Sequence, residues 1–207
     1  MTTATAEMLP ADVMGAFAAD QAASEVRGVP KDVLTPGAVM PDGDLLDVDG
    51  APTSLARLRA DRPAVVVFYR GAWCPYCNIA LRTYQAELVP ALAERGFELI
   101  AISPQKPDGS LTSAQSNELT YSVASDPGNQ IAIALGILTE PSSDSVAAQA
   151  KLGLDLAEAN ADGGTSLPMP TVVVVDAAGI IGWIDVHPNY TTRSEVPDIL
   201  AAVDAVS

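Results

Sequence analysis

"AVVVFYRGAWCPYCNIALRTY", residues 64–84, holds an apolar run, both cysteines of the chain and the start of a helical repeat. Ala64–Phe68 is apolar at every position and rich in valine, the pattern of a central strand covered on both faces. Beyond Pro75, residues Cys77, Leu81, Tyr84 and Leu88 recur at spacings of 4, 3 and 4, which is one face of a helix. Pro75 suits the first helical position, where its missing N–H costs nothing. A buried strand therefore runs through a short loop into a helix, and Cys74 stands at the junction.

The pattern repeats outward from this unit. Pro90 should kink or divide the helix, because it removes an internal donor, and Gly96 should end it. "FELIAIS" (97–103) reads as the next buried strand. A Ser-capped helix is expected near "SLTSAQSNEL" (110–119), then a strand in "YSVASD" (121–126) and a helix near "NQIAIALG" (129–136). "TVVVVDAAGIIGWIDV" (171–186) reads as two strands joined at Ala-Ala-Gly, and "SEVPDILAAVDAV" (194–206) as a closing helix. Upstream, "VMPDGDLLDVDGAPTSL" (39–55) alternates around two Asp-Gly signals and predicts a hairpin, with Ser54 capping a helix through "LARLRADR". These alternating units predict an α/β fold with a central mixed β-sheet flanked by helices. Residues 1–34 read as an N-terminal helical arm and linker, used either against the domain or in a homodimer. Residues 35–207 read as the domain, with an insertion around 138–168 carrying a helix near "DSVAAQAKLG".

Composition excludes several classes. With 26 acidic and 11 basic side chains the net charge is −15, which repels phosphate backbones and anionic headgroups, so neither nucleic acid nor membrane is an expected partner. No apolar run reaches the roughly 20 residues of a membrane helix, and the start lacks a basic n-region and apolar h-region. The expected location is cytoplasmic. Arg62, Arg70, Arg82 and Arg95 make the cysteine neighbourhood less acidic than the rest.

Two cysteines three positions apart admit three readings. A tetrahedral metal site wants four ligands, and beyond the pair the chain has one histidine, His187, more than a hundred residues away. No metal and no cofactor is expected. A structural disulfide would close a tiny loop and remove little unfolded-state entropy. The reactive reading has physical support: the Cys74 sulfur lies at a helix N-terminus, where free N–H groups and the macrodipole favour a thiolate, and Arg70 adds positive potential. Cys77, one turn further in, is shielded but within reach of Cys74.

At these residues the chain resembles a known family. "FYRGAWCPYC" is similar to the thioredoxin-fold active site, in which a Trp precedes the first cysteine of Cys-x-x-C. "VASDPGNQIAIALGI", "TVVVVDAAGIIGW" and "MPDGDLLDVDGAPTSLARL" resemble segments of the peroxiredoxin group, the AhpC/TSA family, so that the similarity runs from about residue 35 to 205. The resemblance implies a thioredoxin-like fold and reduction of hydroperoxides. In that scheme Cys74 attacks the peroxide, Cys77 closes a Cys74–Cys77 disulfide, Arg70 stabilises charge, and thioredoxin or a similar dithiol donor returns the electrons. It also implies a cis-proline at Pro170 beside the cysteines, with the backbone of Met169 free to pair with a bound thiol substrate. Trp73 and Tyr76 would shape the substrate groove. His187 reads as structural at a strand end, Trp183 as core and Asp126 as a strand-end cap. Three positions depart from the family pattern: Gly71 replaces the Thr or Ser three residues before the attacking cysteine, Met169 stands where an Arg polarises the peroxide, and Phe68 replaces a buried acid of thioredoxins. A thiol–disulfide oxidoreductase and a redox-sensing binding protein are the alternative readings.

Overall fold

The computed structural model describes residues 9–107 and 119–206. Most of the helix expected near 110–119 lies outside them.

The strand that opens the decisive stretch, β3 (Ala64–Phe68), is buried at every residue. It pairs in parallel with β4 (Glu98–Ser103) and antiparallel with β8 (Thr171–Val175), so it occupies the middle of the sheet. β5 (Ser122–Ser125) extends the parallel side. The hairpin β1 (Asp44–Leu46) and β2 (Pro52–Ser54) closes one edge, and β9 (Ile181–Val186) closes the other, antiparallel to β8. The order is β2-β1-β5-β4-β3-β8-β9: a mixed sheet, as the hairpins at both ends of the sequence predict.

Alternate side chains of β3 feed two apolar layers. Val65 and Val67 face Leu81, Leu88 and Leu92 with the C-terminal helix α8 (Val196–Val206), through Ile199 and Val203. Val66 and Phe68 face Leu55 of α2 (Leu55–Arg59) and Ile131 and Leu135 of α5 (Gln130–Leu135). Ser54 caps α2 as expected, but the helix stops at Arg59 because Ala60 and Asp61 turn left-handed. Asp126 accepts the N–H groups of Gln130 and Ile131 and so caps α5; burial, opposed by these donors, raises its pKa.

The helix after Cys74 is divided, as Pro90 requires. α3 (Pro75–Thr83) passes into a π-helical turn, Tyr84–Leu88, and then α4 (Val89–Arg95), which ends on left-handed Gly96. Residues 138–168 leave and rejoin the body through a two-stranded clasp, β6 (Leu138–Thr139) against β7 (Leu167–Pro168). Between them lie two helices where the sequence predicted one: α6 (Ser143–Lys151) and the single turn α7 (Leu156–Ala159), capped by Asp155. The arm helix α1 (Ala11–Arg27) packs on α6. Val13 is buried there, Asp20 accepts the Ser142 N–H at 2.9 Å, and Lys151 pairs with Asp12 at 2.6 Å. Among the described residues no helix is long and apolar enough to cross a membrane.

Candidate active site

Cys74 is the N-cap of α3, with extended backbone (φ −87°, ψ 114°), and its carbonyl accepts the first helical bond from the Asn78 N–H. The preceding loop is pinned rather than loose. The Cys74 N–H donates to Gly71, Ala72 donates to the buried Gln105 side chain at 2.8 Å, and Asn78 Nδ2 donates to the Ala72 carbonyl at 2.8 Å. Gly71 has φ +152°, and a Cβ there would stand 2.3 Å from Trp73 Nε1. The family's Thr or Ser therefore has no room at this position, because the indole occupies it.

Both cysteines are free thiols and buried. Cys77 is fully enclosed, and the Arg193 guanidinium donates to its Sγ at 2.9 Å. Burial alone pushes the Cys77 thiol up. It is outweighed by the Cys74 thiol, the Arg193 cation and the Arg70 backbone N–H, which all favour a Cys77 thiolate and bring its pKa down to about 6. Cys74 moves the opposite way: donating to Cys77, burial and the neighbouring negative charge all raise it, against the pull of Arg70 and the Cys77 N–H. Both directions favour negative charge on Cys77 over Cys74. The sequence reading places the thiolate on Cys74, at the helix N-terminus; the groups gathered here add a second pull, toward Cys77. The macrodipole is present at Cys74, but the Cys74 thiol, Arg193 and the Arg70 backbone N–H all favour charge on the deeper sulfur.

Arg193 carries no sequence signal, since it lies 116 positions from Cys77 in a polar loop. The fold delivers it. Its other nitrogen is fixed by the carbonyls of Tyr190 and Thr192, and the loop is tied down by Tyr84, whose hydroxyl donates to the Ser194 carbonyl at 2.7 Å. His187, just beyond β9, bonds Asp185 and Thr192 at 2.9 and 2.7 Å, and Ser194 also donates to Asp185. Arg70, by contrast, lies 5.2 Å from the Trp73 ring centroid and 4.3 Å from that of Tyr190. Trp183 is only partly buried and packs against the α8 side of the core.

Cys74 lines a cleft of about 690 Å³ together with Arg70, Trp73 and Tyr76, whereas Cys77 does not line it. Met169 and Pro170 are not part of that cleft; they line a separate pocket of about 20 Å³ that shares Arg70 and Tyr190 with it. The Pro170 expectation is corrected, because no peptide bond among the described residues is cis. The backbone of Met169 is not free for a substrate: its N–H donates to Ile137 at 2.8 Å and its carbonyl accepts from Thr171 Oγ1 at 2.9 Å. The cause is the clasp, which runs straight from β7 into β8 and absorbs both groups.

Comparison with known proteins bears on this geometry. The AhpC/TSA family matches residues 36–184. A Mycobacterium tuberculosis protein named as a peroxiredoxin is 34% identical over 107 residues, 52% of this chain and 67% of the relative. Among solved structures, peroxidoxin BcpB of Mycobacterium tuberculosis aligns with a TM-score of 0.62 at 20% identity, covering 84% of this chain and 99% of that one. A peroxiredoxin-like protein of Aquifex aeolicus aligns at 0.64 and 16% identity, covering 86% and 91%. Reduced Prx3 of Vibrio vulnificus in complex with hydrogen peroxide aligns at 0.63 and 18% identity, covering 83% and 99%. At these identities the structures share the fold, a central mixed sheet flanked by helices.

Proposed function

This chain belongs to the AhpC/TSA family and is a thiol-dependent peroxidase, and we propose that its redox centre is the Cys74–Cys77 pair. One observation carries the reading: Cys74 lines a cleft, and the Cys77 sulfur behind it is held by a guanidinium. A hydroperoxide ROOH enters on the Cys74 side. Cys74 passes its proton to the Cys77 thiolate and attacks the terminal peroxide oxygen. The O–O bond breaks, the leaving alkoxide takes the proton from Cys77, and ROH departs from a Cys74 sulfenic acid. Cys77, again a thiolate against Arg193, displaces hydroxide from the Cys74 sulfur and forms the disulfide. Solvent protonates the hydroxide. A dithiol donor of the thioredoxin kind then reduces the disulfide by exchange, which suits a reducing compartment such as the cytosol. Arg193 fills the electrostatic role that Arg70 was expected to play at the pair, and Arg70 with Trp73 meets the peroxide at the cleft floor. The disulfide-exchange alternative rested on the CPYC centre and a cis Pro170, and of these the cis bond is absent among the described residues.

The test is stopped-flow fluorescence of the reduced protein mixed with peroxide, read through Trp73 beside Cys74, with dimedone trapping of the sulfenic acid. Cys74→Ser abolishes oxidation, whereas Cys77→Ser gives a slow single oxidation and a dimedone adduct on Cys74. A Cys74→Ser protein that still forms an adduct, on Cys77, would reverse the two roles.

A further inference from the structure

Arg193 reaches the Cys77 sulfur from an irregular polar stretch, "HPNYTTRS" (187–194), that forms no strand or helix of its own. A long side chain on a loose loop would spend little time against one sulfur, so the loop itself must be held. The two residues that flank Arg193 show what holds it. Ser194, 4% exposed, donates its hydroxyl to Asp185 Oδ2 at 2.7 Å, and Thr192 Oγ1 lies 2.7 Å from His187 Nδ1. These two hooks are one assembly, because His187 Nε2 lies 2.9 Å from the same Asp185 oxygen. Asp185 and His187 stand two positions apart at the end of β9, so the strand sends both side chains to one face.

The pair also keeps the guanidinium free. A carboxylate close to an arginine ordinarily captures it in an ion pair. Asp185, Glu195, Arg193 and Cys77 all act electrostatically on the Tyr84 hydroxyl, so they surround one point, yet no carboxylate of the described residues is ion-paired with Arg193. Asp185 Oδ2 is taken by Ser194 and His187 instead, which leaves the guanidinium to the sulfur. Asp185, His187, Thr192, Arg193 and Ser194 all lie beyond residue 184, where the match to the AhpC/TSA family ends.

We propose that Asp185 and His187 are positioning residues of the redox centre: by holding Thr192 and Ser194 on either side of Arg193, they keep the guanidinium on the Cys77 sulfur for disulfide closure. The step is the closure given above, and the assignment rests on that reading. The Cys77 thiolate attacks the sulfur of the Cys74 sulfenic acid, the S–S bond forms, the S–O bond breaks, and the hydroxide that leaves is protonated by solvent. Imidazole and carboxylate make none of these bonds. They set how well Cys77 is charged and aligned when the sulfenic acid appears.

The test follows the reduced full chain after mixing with hydrogen peroxide, by stopped-flow fluorescence and by dimedone capture of the Cys74 sulfenic acid. His187→Ala and Asp185→Ala should each slow disulfide closure by about tenfold, raise dimedone capture and move the thiolate inflection at 240 nm upward. Thr192→Val and Ser194→Ala each cut one hook and leave the pair intact; they should slow closure about threefold, and they decide the matter if the larger changes impair folding. In an Arg193→Met background, adding His187→Ala or Asp185→Ala should change closure by less than about twofold, because the group they act through is gone. Variants with lower urea stability but unaltered closure and inflection would overturn the inference and make the pair a structural tie. Equal slowing with and without Arg193 would overturn it too. If Arg193→Met itself left closure unmoved, the role given to Arg193 would fall and this inference with it. A parent protein that peroxide does not oxidise would overturn the peroxidase reading itself.

Discussion

At the scale of single residues, the site is governed by where one negative charge settles. Cys77 is held at about pKa 6, below an ordinary thiol near 9, so its thiolate predominates at neutral pH. The sign follows from linkage: a depressed acid contributes stability that is fully present above the unfolded value and is lost as pH falls through the folded one. Absorbance at 240 nm should therefore show thiolate disappearing near pH 6 in the reduced protein. Arg193→Met should move that inflection upward and slow oxidation at neutral pH by about tenfold or more. An unmoved inflection would mean that Arg193 packs beside Cys77 without polarising it. The roles differ in how legible they were. Cys74, Cys77 and Trp73 announce themselves by spacing, and Gly71 announces itself as a departure. The reason for that departure, an indole 2.3 Å from the missing Cβ, exists only in three dimensions.

At the scale of elements, the divided helix after Cys74 ties the site to the rest of the fold. Pro90 signals the break in sequence; the π-helical form of the break does not appear there. The turn accommodates the proline by letting the Val89 N–H reach the Tyr84 carbonyl, and it presents the buried Tyr84 hydroxyl to Ser194, next to Arg193. Tyr84→Phe removes that donor and leaves a backbone acceptor unpaired. It should cost about 1–2 kcal/mol in urea unfolding and loosen the loop that carries Arg193, raising the Cys77 pKa in the same variant. A loss of stability without any change in thiolate titration would separate the loop from the charge. The arm shows the opposite balance of legibility. Its helical spacing was readable, whereas its destination against α6 rests on the buried Val13 and on Asp20 meeting Ser142, neither of which marks its partner in sequence.

Over the whole molecule, the excess of acidic groups opposes compaction. The ion pairs that offset it are largely exposed: Lys151 and Asp12 are 61% and 62% accessible, so that pair contributes little in water. Self-repulsion at net charge −15 should dominate, and the Debye length falls from about 10 Å at 0.1 M salt to about 3 Å at 1 M. The thermal midpoint of the reduced protein should accordingly rise as sodium chloride is increased over this range. A midpoint that fell would mean that surface pairs, weak one by one, together outweigh the repulsion.

The sequence by itself determined most of the strands and helices and the mixed character of the sheet. Buried strands are written as unbroken valine runs, helices as apolar positions at spacings of three and four, and their ends as Pro, Gly and capping Ser or Asp. Each of these is a local cost or gain. It also determined the chemistry available, because two cysteines three apart at a helix start leave few other uses. Tertiary structure alone decided which arginine meets the buried sulfur and what covers the cleft. These depend on groups more than a hundred positions apart meeting within 3 Å, as Arg193 meets Cys77. Such meetings follow from how the two apolar layers pack around β3, and no spacing along the chain records them.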